Sequence, residues 1–159
     1  MRLLLKFLHS LAGAGLLGGA LAMAVVALWA QRPESAAAHA PVIAALAQMA
    51  AWIIGPSMVL TIVTGLLAMA VTRAFQDVGW AWAKAATGIL VLEMGLHVMG
   101  PIQEEAKRSA GQLAATADPA SAARLLAAEA NTLLLLAGVA AVNVALGVWR
   151  PKFPKYTVR

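Results

Sequence analysis

Cysteine is missing from this chain of 159 residues. That excludes a disulfide frame and any thiolate metal site. A metal ion would need His, Met or carboxylate ligands, and histidine too is scarce: His9, His39 and His97 are the whole supply. Charge is the next shortage. Asp, Glu, Lys and Arg make up 12% of the residues, against roughly 25% in soluble domains. So few charges cannot coat a water-soluble domain when 62% of residues are hydrophobic and the mean hydropathy is +0.79. Lipid takes such side chains as a solvent does. The net charge of +5 does not point to nucleic acid, because Arg150, Lys152, Lys155 and Arg159 crowd behind an apolar stretch. They form a juxtamembrane tail suited to anionic lipid.

Four long apolar segments are present, at about 3–29, 42–71, 80–100 and 131–149. Each has the ~20 residues needed to cross ~30 Å of hydrocarbon. Continuous rather than alternating apolar runs select helices, and in lipid only helices and closed barrels satisfy their own backbone. The expected fold is all-α, a single integral-membrane four-helix bundle over 1–159. The first segment follows Arg2 and Lys6 and has the start of a signal peptide. It stays apolar far beyond the 7–15 residues of a cleaved signal, so it reads as a retained helix. In the last connection Asp118 precedes Pro119, an N-cap followed by an N1 proline. The fourth helix then begins ahead of the membrane, or a short surface helix precedes it.

Basic residues set the orientation. Arg2, Lys6, Arg73, Arg150, Lys152, Lys155 and Arg159 lie on one side, seven in all, against Arg32, Lys107, Arg108 and Arg124, four, on the other. The richer side should be cytoplasmic. This predicts a multi-pass protein of a bacterial cytoplasmic (inner) membrane, with both termini inside. Gly13, Gly15, Gly18 and Gly19 make the first helix rich in small residues, which lets helices approach closely in lipid. Gly55-Pro56 interrupts the second helix and predicts a bend.

Ionisable groups inside a membrane are expensive and tend to be functional. At 1.5 Å per residue, His9 and Lys84 fall at comparable depth in the inner half of their helices, with Ser10, Thr61 and Thr64 near the same half. The two are candidates for a shared pocket. A neutral imidazole ligates haem iron or shuttles protons, and a lysine holds a carboxylate. The plain alternatives are a snorkelling Lys84 and a His9 that only bonds a neighbouring helix. Glu93 and His97 stand four apart on one helix face. With Gln48, His39 and Asn143 they make a possible buried proton or polar network, or an imidazole oriented toward a metal. A bis-histidine haem needs two facing imidazoles, and His9 has no partner at its depth.

The stretches LLKFLHSLAGAGLLGG, GPSMVLTIVTGLL, WAWAKAATGIL and VWRPKF follow one another across nearly the whole chain. In that order the chain resembles the DUF2269 family of predicted integral membrane proteins. That family is distantly similar to HemJ-type protoporphyrinogen oxidases and the CopD membrane domain. The resemblance implies that His9 is the first-helix histidine and Lys84 the lysine of a W-x-K stretch, both tied to haem b binding. His9 would then be the metal ligand. The Asn-Glu-x-Pro stretch of HemJ-like chains is absent, since Glu129 and Asn131 occur in another order without proline.

Three function classes follow. The first is a haem-associated inner-membrane redox protein. The second is a non-catalytic accessory or structural subunit of a larger membrane complex. The third is a metal- or proton-handling membrane protein, which would need an oligomer because four helices make a narrow bundle. The expected partners are the lipid bilayer and further copies or subunits; nucleic acid is not expected.

Overall fold

The computed structural model describes residues 2–30, 36–72, 78–111 and 119–150. Arg32, Arg73, Asp118 and the basic tail after Arg150, on which parts of the orientation and capping readings rest, lie outside them. All the described elements are helical. Helix α1 spans Arg2–Trp29, α2 Ala36–Met49, a π-helical turn Ala50–Ile54, α3 Gly55–Val71, α4 Gly79–Gly111 and α5 Pro119–Trp149. Four stretches of helix are long and apolar enough to cross a membrane, with α2, the π turn and α3 forming one of them. The spans pack in chain order around a ring: α1 on α3, α3 on α4, α4 on α5 and α5 back on α1. This is an up-and-down four-helix membrane bundle, and four crossings put Arg2 and Arg150 on one side.

Small side chains share its interior with Met23, Leu46, Leu133 and Leu136. Ala12, Ala20, Ala24 and Ala27 of α1 are buried, as are Ala130, Ala137 and Ala140 of α5. The large apolar side chains Leu3, Phe7, Val25, Trp29, Ile89, Leu135 and Val148 point outward. Water would not tolerate so large an apolar exterior. In lipid there is no penalty for it, and close helix contact through small residues becomes the cohesive term. On α1 that contact uses one glycine face. A methyl group at Gly15 would stand 2.7 Å from Ser57 Oγ, and one at Gly19 would stand 2.9 Å from Ile53 Cγ2. At Gly13 and Gly18 it would meet nothing within 4 Å.

The bend expected at Gly55-Pro56 takes the form of the π turn. Pro56 has no N–H to offer the carbonyl four residues back, and its ring crowds that carbonyl. The ladder widens instead, and the Gly55 N–H bonds the Ala50 carbonyl, five residues away. Two helix boundaries differ from the sequence reading. The third span does not stop at Gly100: α4 runs through Pro101 to Gly111. Ile102 is buried there, and Gln103 Nε2 donates to the Ala47 carbonyl at 2.8 Å, so tertiary packing carries the helix past the proline. Helix α2 starts at Ala36 rather than Val42, with Pro41 inside it. The fourth helix runs unbroken from Pro119, the first of the two arrangements read from the sequence.

Candidate functional site

Toward the end of the bundle that carries the termini, α1 presents His9 to α3. Its Nδ1 lies 3.0 Å from the Thr61 carbonyl and 3.1 Å from Thr64 Oγ1. The Thr64 hydroxyl donates to the Leu60 carbonyl at 2.5 Å, so toward the imidazole it acts as an acceptor. A carbonyl can only accept. Both neighbours therefore require the proton on Nδ1, which leaves the Nε2 lone pair bare. Among the described residues Nε2 has no hydrogen-bond partner. Gly65 makes room for the ring, since a methyl there would sit 3.3 Å from His9 Cε1. Thr61 Oγ1 is buried without a partner.

Lys84 of α4 lies within electrostatic reach of that ring. It does not extend to the membrane surface. Its Nζ donates to the Asn143 carbonyl at 2.8 Å and to Asn143 Oδ1 at 2.6 Å. Asn143 Nδ2 answers with bonds to the Lys84 carbonyl at 2.8 Å and to Thr87 Oγ1 at 2.7 Å. The result is a reciprocal clamp between α4 and α5. Gly147, one turn along α5, allows it, because a methyl at that position would stand 3.1 Å from Lys84 Nζ. Thr87 also lines an open apolar groove of about 360 Å³ between α4 and α5, together with Leu90, Leu134 and Val142.

The other sequence candidates do not assemble around Glu93. Asn143 belongs to Lys84. Gln48 is exposed and accepts from Trp52 Nε1 at 3.1 Å. His39 is buried at the opposite end, where Nε2 donates to the Ala30 carbonyl at 3.1 Å and so caps the end of α1. Glu93 and His97 do pair, with Nδ1 to Oε1 at 3.6 Å, but their side chains are 66% and 71% exposed. The pair faces out of the bundle, not into it. Among the described residues no three His, Asp or Glu side chains gather into a metal-ion cluster.

One buried polar residue was not singled out in the sequence. Glu129 of α5 is 5% exposed, and its Oε2 is buried without a partner. Its place four residues before the buried Leu133 and three after the buried Leu126 was the available signal. A buried, incompletely bonded carboxyl opposes folding. Glu129→Leu is therefore expected to raise stability by about 1 kcal/mol, read as a higher unfolding midpoint in detergent. A lower midpoint would mean that Glu129 has a partner of its own.

Apolar spans, inward alanines and polar residues at two depths now stand together. A family model described as a predicted integral membrane protein, DUF2269, matches residues 3–151. The chain belongs to the DUF2269 family. The match takes in all four spans, and with them His9, Lys84 and Asn143. No curated protein and no solved structure matches the chain.

Proposed function

We propose that this DUF2269 protein is a haem-associated redox protein of the bacterial inner membrane, with His9 Nε2 as the axial ligand of haem b. The observation that carries the reading is the tautomer. Nδ1–H is spent on Thr61 and Thr64, and a metal-ligating histidine characteristically donates its other N–H to a carbonyl in this way. Haem also suits a site with a single imidazole. A bare ion needs several protein ligands, whereas a porphyrin brings its own equatorial nitrogens and asks the protein for axial ones. When bound, haem iron would supply one-electron or oxygen chemistry.

The chain's residues have separable roles. Thr61 and Thr64 orient the imidazole, and the unpartnered Thr61 hydroxyl leaves a polar group beside it. Lys84 keeps one ammonium proton beyond the two bonded to Asn143, free to meet a propionate. The excess of Lys and Arg at the ends bearing the termini supports a cytoplasmic placement of that face.

The test is spectroscopic. Wild type, His9→Ala and His97→Ala are purified from haem-replete cells, and reduced-minus-oxidised spectra are recorded. Wild type and His97→Ala should carry a Soret band, and His9→Ala should hold less haem by at least about ten-fold. A colourless wild type, or an unchanged signal in His9→Ala, ends the proposal. The accessory-subunit reading would then lead.

A further inference from the structure

Glu93 lies close to midway along the Gly79–Arg108 span, and both it and His97 point away from the bundle. None of the described residues covers them. The inner face of α4 is taken by Val91, Gly95, Val98 and Ile102, all buried against its own neighbours. An acid facing hydrocarbon near mid-membrane, with its base one turn further toward the surface, is costly. Lipid headgroups stand too far away to solvate Glu93, because the membrane centre is separated from either surface by roughly 15 Å of acyl chain. The groups require a protein neighbour.

We propose that the neighbour is a second copy of this chain, packed in parallel through α4 so that Glu93 and His97 of both copies meet across a two-fold axis. Two observations support this occupant. The first is that the pair complements itself. His97 Nδ1 is engaged by its own Glu93, at 3.1 Å from the carbonyl oxygen and 3.6 Å from Oε1. Nε2 has no partner among the described residues. A two-fold axis brings the Nε2 of each copy to the carboxylate of the other, and the same contact is made twice. A different protein would need an independent acid–base pair in matching register.

The second observation is the seam around the pair. Ala86, Ile89, Glu93, Leu96 and Gly100 are all exposed and follow one another at intervals of three, four, three and four residues. That is the spacing of a left-handed helix pair. Alanine and glycine at its two ends let the backbones approach, and a single polar residue within such a seam fixes register. The proposal does not depend on haem.

Disulfide trapping tests it, since the chain has no cysteine of its own. Gly100→Cys is a mild probe, because a side chain there meets nothing within 4 Å. Ile89→Cys samples the middle of the seam, and Val63→Cys, exposed on α3, samples another lipid face. Each full-length variant is oxidised in native membranes. Gly100→Cys and Ile89→Cys should yield a species of twice the 16.4 kDa chain, and Val63→Cys should not. Adding Glu93→Leu to Gly100→Cys should weaken association about ten-fold as lipid is titrated in. Glu93→Gln should weaken it less. Monomer alone at both seam positions, equal trapping at Val63→Cys, adducts of another mass, or no effect of Glu93→Leu would each overturn the proposal.

Discussion

Asn143→Leu is expected to destabilise the bundle by about 3 kcal/mol, and Lys84→Met by less, about 1–2 kcal/mol. The asymmetry follows from which atoms are stranded. Leucine at 143 removes the Oδ1 acceptor at 2.6 Å and both Nδ2 bonds, and leaves the ammonium with the Asn143 main-chain carbonyl alone. A charge is then held in low dielectric with half its partners. Methionine at 84 leaves the bonds from Asn143 Nδ2 to the Lys84 carbonyl and Thr87 intact. It strands only a neutral amide oxygen. The double variant Lys84→Met/Asn143→Leu carries no stranded charge and should be more stable than Asn143→Leu alone. Unfolding of the four proteins in one detergent, followed by circular dichroism, gives the cycle. A Lys84→Met that costs more than Asn143→Leu would mean the clamp is held by something other than these bonds.

Neighbouring glycines on α1 should respond in opposite ways. Gly19→Leu is expected to cost about 3 kcal/mol, and Gly18→Leu to stay within about 0.5 kcal/mol of wild type. Both changes make the same gain in helix propensity, so packing alone separates them. A Cβ at Gly19 meets Ile53 Cγ2 at 2.9 Å and Ile54 Cδ1 at 3.1 Å. Both are β-branched and restricted at χ1, and both sit in the π turn, so neither has an easy way to yield. A Cβ at Gly18 faces open space. The readout is the unfolding midpoint of each variant. Equal midpoints would contradict this contact between α1 and the π turn.

The spans were legible because hydropathy reports burial in lipid directly. Their extent was less so. Proline normally ends a helix, and only the anchoring of Ile102 and Gln103, which lies in another helix's surroundings, carries α4 beyond Pro101. For the polar residues, counting along a helix gives height in the membrane but not direction around the axis. Height put His9 and Lys84 at comparable depth in the sequence reading. It grouped Asn143 with Glu93 and His97, although Asn143 faces Lys84 and the other two face outward. Glu129 had the position of a core residue and the chemistry of a surface one, and chemistry alone misleads there.

The π turn also acts as a phase shifter. Each residue advances an α-helix by about 100°, and a π turn holds one residue more than an α turn. Everything after Gly55 is therefore rotated by roughly that angle relative to an uninterrupted helix. The rotation decides which residues of α3 look toward α1. Thr61 and Thr64 reach His9 in the phase that the extra residue sets. An ordinary α turn over the same residues, with none removed, would keep the span apolar and helical, yet turn the threonines away from the histidine. The wide turn is thus a one-residue insertion whose effect is felt two turns downstream, where the imidazole finds its acceptors.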